Sequence, residues 1–306
     1  MANYSSDKFQ IIGCNNLDSE GILRPSLTYW QDAWRRLRKN KVAIISLIAL
    51  VLMIIMSIVG PMIANFQYQS MNKGMENLAP NSTFWFGTDV VGRDLFSRVW
   101  VGGRISISIG IIGAICDTVI GVIYGGVAGY NGGIIDDIMM RIVEILASIP
   151  YLVLVILIRV VFDKGGIFPL ILAMAITGWT GMARLVRGQI LQIKEQEYVL
   201  AAKALGANSS RIIAKHLIPN TLGIMIVAIT FAIPGYMFSE AFLSFLGLGV
   251  KSPMTSWGAL AQMGQQQMRF YPYQLIFPAL AISITMLSFQ LLGDGLRDAL
   301  DPKLRQ

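Results

Sequence analysis

Long apolar runs alternate with short polar segments along this chain, and the runs have the length of membrane crossings. Residues 42–64 form 23 uncharged, mostly apolar positions. At ~1.5 Å per residue, such a helix covers a hydrocarbon core of ~30 Å. Five further runs follow at 105–128, 138–158, 167–183, 222–245 and 273–292. Lipid offers no hydrogen bonds to an open backbone, so each run is expected to be α-helical. The pattern predicts an all-α membrane protein with six transmembrane helices. It divides the chain into a polar segment 1–41, a first helix 42–64, an outer segment 65–103 and a five-helix core 104–306. One polar interruption, 190–220, is far longer than a turn requires.

Six crossings place both ends of the chain on one side. With a cytoplasmic N-terminus, 17 of the 25 Lys and Arg residues fall on the inner side. That excess is the expected orienting bias. It accounts for the net charge of +7 without nucleic acid, for which there is no motif. Hydrophobic residues make up 54% and charged residues 14%, against about 25% charged in soluble domains. Most of the chain therefore belongs in lipid. Cys14 and Cys116 are isolated and His216 is the one histidine, so neither a disulfide framework nor a histidine metal site is expected. Asn81, Ser82 and Thr83 fit a glycosylation acceptor, a weak three-residue match. Before the first run, Leu27, Trp30, Trp34 and Leu37 recur at helical spacing, with Ser26 as the expected N-cap and Arg35, Arg36, Arg38 and Lys39 at the far end. This reads as an amphipathic helix on the inner leaflet.

The polar segment 198–220 reads YVLAAKALGANSSRIIAKHLIPN. Good helix formers run to Leu205. Gly206 suits the position just past a helix end, where a left-handed backbone is cheap only for glycine. Asn208 or Ser209 can cap a second short helix, and Pro219 fits the start of the next span. The expectation is a helix–turn–helix elbow whose alanines allow close approach by a partner. The alternative is a solvated connector.

At these residues the chain resembles the membrane permeases of binding-protein-dependent ABC importers. Their cytoplasmic signature is E-A-A, three residues, G, nine residues, I-x-L-P. Ala201, Ala202, Gly206, Ile218 and Pro219 match it, while Leu200 replaces the glutamate and His216 the first aliphatic residue. The resemblance implies that Ala201, Ala202, Lys203, Gly206, Ala207, Arg211, Ile218 and Pro219 form the loop that couples to an ATPase. No glutamate contact is implied at position 200. Further motifs narrow the resemblance to the C-type permease of oligopeptide and dipeptide importers. They include Gly87, Thr88, Asp89, Gly92, Arg93 and Asp94 outside, Asp136, the run 183–188, the run 243–249, and the tail 292–302.

The implied fold is the type I ABC importer permease, with both termini cytoplasmic, in a prokaryotic inner or plasma membrane. The implied partners are membrane lipid, a homologous second permease, two ABC ATPase subunits and an extracytoplasmic peptide-binding protein. No G-x-x-x-x-G-K-[ST] phosphate loop occurs. The chain is therefore expected to be non-catalytic and to carry no cofactor, with ATP and Mg held by the ATPase subunits. Nickel, glutathione or another small solute remains open, as does an ion-coupled secondary transporter.

Five further features carry expectations. Gly121, Gly125 and Gly129 recur every four residues, a pattern for close helix packing in lipid. Asp117, mid-span, costs ~2.5–3.5 kcal/mol on insertion scales. It is expected to face protein or water, as a pathway residue or a buried carboxyl bonded to Ser or Thr. Glu240 and Ser244, one turn apart, are candidate pathway or gate residues, or a packing contact. Phe84, Trp85 and Phe86 suit a membrane interface, with a binding-protein surface as the second reading. Arg141 and Glu144 are spaced for an ion pair.

Overall fold

The six apolar runs fold as helices, and most extend well past the ends that hydropathy marks. The computed structural model describes residues 28–162 and 167–301. Ser26, Leu27, Cys14 and the tail from Pro302 lie outside the described residues. The elements are α1 (Tyr29–Lys39), α2 (Lys41–Ile63), α3 (Leu95–Asn131), α4 (Gly133–Ser148), α5 (Tyr151–Val161), α6 (Ile167–Thr177), α7 (Trp179–Ile193), α8 (Glu197–Ala204), α9 (Ser209–Ile212), α10 (Ile218–Phe245), α11 (Trp257–Gln267) and α12 (Tyr273–Leu300). Among the described residues, five helical stretches are long and apolar enough to cross a membrane, and the pair α4–α5, bent by 78°, makes a sixth if taken as one span.

The packing decides that the bent pair crosses. A methyl group on Gly121 would strike Met182, one on Gly125 the backbone of Ala183, and one on Gly129 would touch Arg187 and Ile190. Residue numbers rise together on both sides, so α3 and α7 run parallel. A chain that descends twice in the same direction must climb between, and among the described residues α4–α5 lies between α3 and the span of α6 and α7. The break falls where Ile149 is extended (φ −73°, ψ 124°) before Pro150, the conformation that proline imposes on its predecessor. The glycine stripe thus serves an interface inside the subunit. It lets backbones approach where any Cβ would intrude.

Span ends move for identifiable reasons. Helix α3 starts ten residues before the apolar run because its early arginines have partners. Arg104 donates from Nε to the Ser57 carbonyl at 2.6 Å and from Nη2 to the Ile58 carbonyl at 2.7 Å. The fourth span continues through Arg184 and Arg187 to Ile193. There Arg187 makes a bidentate pair with the buried Asp136 of α4.

The fifth span begins at Ser209, not beyond Pro219. Pro219 is the second residue of α10, the helix-start position expected of it, although the helical stretch as a whole runs back to Ser209. Proline cannot donate to the preceding turn. The stretch just before it, Ile213–Leu217, is a π-helical turn, whose wider winding changes the hydrogen-bond register there.

Helix α1 begins at Thr28, not Ser26. Thr28 Oγ1 accepts from the Gln31 N–H and Gln31 Oε1 accepts from the Thr28 N–H, a reciprocal capping box. Leu37 and Ala33 are buried, whereas Trp30 and Trp34 are half exposed, the two-faced character of an interfacial helix. The Tyr29 hydroxyl donates to the Leu300 carbonyl at 3.1 Å. The first and last described helices therefore meet at one end of the bundle, as an even number of crossings requires.

The outer aromatics form a small core rather than an interface belt. Phe84 is buried and stacks on Phe66, and Phe86 stacks on Phe277 at 3.9 Å and meets the edge of Phe96. Only Trp85 of the three is exposed.

Candidate functional site

The segment 198–220 forms the expected elbow at the end of the bundle that carries Tyr29 and Leu300. Helix α8 ends in a Schellman turn: the Ala207 N–H donates to the Ala202 carbonyl and the Gly206 N–H to the Lys203 carbonyl. Gly206 has φ +81°, so the conformation that excludes β-carbons without penalty is in use there. Asn208 Oδ1 then accepts from the Arg211 N–H at 2.9 Å and caps α9.

The elbow is anchored from beneath and exposed above. Val199, Ile212 and Leu217 are buried against Val122, Met182, Val186, Ile190 and Met225. Ala201, Lys203, Ala204, Gly206, Arg211 and Pro219 are exposed, and Leu205 is 88% exposed. Ala202, Ala207 and Ile218 are partly buried. The elbow thus presents small residues and, at its tip, a bare leucine. Beneath it, a cleft of about 430 Å³ is lined by Tyr130, Lys194, Val199, Lys203 and Ile212.

The outer signature builds a knot that fixes the start of α3. Asp89 accepts from the backbone N–H of Val91 and Arg93, from Arg93 Nε at 2.7 Å and from Arg98 Nη1 at 2.7 Å. All three side chains are nearly enclosed. The Thr88 hydroxyl donates to the Met75 carbonyl at 2.6 Å and accepts from the Leu78 N–H. Gly87 and Gly92 have φ +80° and +76°, and a Cβ on Gly92 would enter the Asn72 carbonyl. Asp94 caps α3 by accepting from the Ser97 N–H at 3.0 Å. Burial pushes the Asp94 carboxyl up from its ordinary value, opposed by the N–H groups of Ser97 and Phe96. Tyr273 and Gln274 both donate to the Thr88 carbonyl, which joins this knot to α12.

Glu240 is enclosed rather than open to a pathway. Its carboxylate accepts from the hydroxyls of Ser106 at 2.8 Å, Ser244 at 2.7 Å and Ser256 at 2.6 Å. Ser106 and Ser256 in turn accept from the N–H groups of Trp257 and Ala259. One carboxylate thus ties α3, α10 and the start of α11. Glu240→Ala is expected to strip three buried hydroxyls of their acceptor, at about 1–3 kcal/mol for each group left unpaired. The expected outcome is a lower thermal midpoint for the purified complex, with Glu240→Gln milder. An unchanged midpoint with altered uptake would restore the gate reading.

Asp117 is 6% exposed, and its Oδ1 has no hydrogen-bond partner. The expected Ser or Thr contact is absent here, because the neighbouring Thr118 hydroxyl donates to the Ala114 carbonyl instead. The Arg141–Glu144 pair forms at 2.8 Å with both side chains exposed, a geometry that contributes little. Two features went unread in the sequence: the Arg187–Asp136 pair, whose partners lie 51 positions apart, and Gly178, which breaks the fourth span beside Asp117.

Similarity to known proteins covers both the N-terminal part of the chain and its core. The family model for the binding-protein-dependent transport system inner membrane component matches residues 119–306. The N-terminal transmembrane domain of oligopeptide transport permease C matches residues 28–80. The chain is 50% identical over 306 residues to the oligopeptide transport system permease protein OppC of Bacillus subtilis (strain 168), covering 100% of both chains. It is 51% identical over 292 residues to the dipeptide transport system permease protein DppC of the same organism, covering 95% of this chain and 91% of that one. An inward-facing structure of the MetNI methionine ABC transporter superposes with a TM-score of 0.54 at 21% identity, over 68% of this chain and 96% of that one. This likeness supports the fold alone. Family match and helix arrangement agree, and the chain belongs to the inner membrane components of binding-protein-dependent transport systems.

Proposed function

We propose that this chain is one of two permeases in an ATP-driven importer of oligopeptides or dipeptides, seated in a prokaryotic inner or plasma membrane. The observation that carries the reading is the elbow: a rigid, exposed, small-residue turn on buried anchors, at the end of the bundle that the basic-residue bias places in the cytoplasm. Ala201, Ala202, Lys203, Gly206, Ala207 and Arg211 present the surface, and Ile218 and Pro219 carry its movement into α10. Two ATPase subunits bind ATP and Mg and close on nucleotide. The elbow transmits that closure because its contacts with them differ between states. A binding protein delivers solute at the outer end, where the signature 87–94 sets the position of α3. Peptide as the solute is supported by the oligopeptide and dipeptide transport permeases that share about half their residues with this chain.

The test is reconstitution of both permeases, the ATPases and the binding protein in vesicles. Tripeptide uptake is expected to require ATP and to survive collapse of the proton gradient, and the isolated chain is expected to turn over no ATP. Uptake that follows the gradient and ignores ATP would overturn the reading.

A further inference from the structure

The membrane-embedded part of the fold contains an open cleft of about 360 Å³ lined by Asp117, Tyr151, Thr177, Gly178, Tyr236 and Ser239. Its lining comes from four helices and the break between α6 and α7. At that break a methyl group on Gly178 would collide with both carboxylate oxygens of Asp117 and with the Tyr236 hydroxyl. Three oxygens therefore converge over one bare backbone position. The Asp117 residue is more than nine-tenths buried, and its Oδ1 is left without a hydrogen bond. Among the described residues, no Lys or Arg forms an ion pair with it. A buried acceptor without a donor is costly, and a carboxylate in a membrane marks a protein-lined or wet path rather than lipid.

The geometry points to this cleft as a seat for an ammonium group of the passing solute. An ammonium brings three N–H donors and one positive charge, which answers three converging oxygens and one carboxylate. A resident metal ion is a poorer match, since no cluster of three metal-ligating side chains exists among the described residues, and hard cations take six or more oxygens. The cleft is also larger than a bare ion needs and lies within the size range of small-ligand sites. Gly178 is the position that lets these oxygens converge on the backbone, because a Cβ there would collide with all three. This inference rests on the peptide reading above, and it assigns a chemical group of the solute to one carboxylate of this chain.

The test compares Asp117→Asn with the unmodified transporter in vesicles holding the complete complex and ATP. Three probes are used at concentrations that saturate the binding protein: tri-alanine with a free amino terminus, N-acetyl-tri-alanine, and an N-acetylated tripeptide carrying one lysine. The substitution keeps the side-chain shape and removes the charge. Uptake of the free-amine peptide relative to N-acetyl-tri-alanine is expected to fall about tenfold, and Asp117→Glu is expected to recover part of that ratio. A loss confined to tri-alanine assigns the seat to the amino terminus. A loss shared with, or confined to, the lysine peptide assigns it to ammonium groups of either source or to the side chain. No change in any ratio, or an equal loss for all three probes, overturns the inference. An unmodified transporter that carries none of the probes fails the peptide reading itself, and the inference falls with it.

Discussion

Gly206→Val is expected to cut ATP-driven uptake about tenfold while the chain still inserts in the membrane. The reason is backbone conformation and not crowding. Gly206 has φ +81°, and nothing stands within 4 Å of where its Cβ would be. A Cβ there therefore meets no neighbour, yet the left-handed conformation costs a β-branched residue about 1–2 kcal/mol or more. The Schellman bonds from Ala207 to Ala202 and from Gly206 to Lys203 depend on that conformation, and the elbow loses its shape when it is abandoned. Each 1.4 kcal/mol removes about tenfold of the competent population, so uptake is expected to fall at least to that extent. Gly206→Asn separates the two explanations, because asparagine tolerates the left-handed region. Asn is expected to retain most of the uptake that Val loses. Equal transport by all three forms would remove the elbow from the mechanism.

Asp89→Ala is expected to be the most damaging substitution outside the membrane. It deprives two nearly enclosed arginines of their shared carboxylate, with Arg93 Nε and Arg98 Nη1 each 2.7 Å from Asp89 Oδ2. Removing one partner of a buried ion pair costs about 3–5 kcal/mol, because the remaining charge stays buried. Here two charges are stranded, and the N–H groups of Val91 and Arg93 lose their acceptor as well. The measurable result is a sharp drop in the amount of folded chain in membranes. Asp89→Asn keeps an acceptor oxygen and is expected to fall between the two. A variant Asp89→Ala that accumulates normally would show that the knot does not hold the start of α3.

Hydropathy and residue type made much of this structure legible before any geometry. The six runs, the turn at Gly206, the Asn208 cap and the packing role of the glycine stripe follow from local rules. Chemistry there is settled within a few residues. The misses share one cause, which is partners distant in sequence. Arg98 and Arg187 look like span ends because an isolated charge belongs in water, but Asp89 and Asp136 lie against them. Glu240 looks like a gate until Ser106 and Ser256 arrive from other elements. Of the two readings of Asp117, a pathway residue or a carboxyl bonded to Ser or Thr, the second depends on neighbours that the fold does not bring to Oδ1, and the side chain lines an open cleft. Hydropathy alone runs 138–158 together as one helix, which the extended Ile149 before Pro150 interrupts, and the helical continuity from Ser209 into α10 depends on a π-helical turn that no local preference specifies.

The central claim is that the elbow is the point where this chain meets its ATPase. Leu205, 88% exposed at the tip, offers the most direct test. A single cysteine at position 205, in a background with Cys14 and Cys116 replaced by serine, is treated with a short thiol cross-linker in the assembled transporter. The account predicts a covalent adduct with an ATPase subunit and no labelling by an impermeant maleimide applied from outside intact cells. Labelling from outside, or the absence of any adduct with the ATPase in a complex that still transports, would contradict it.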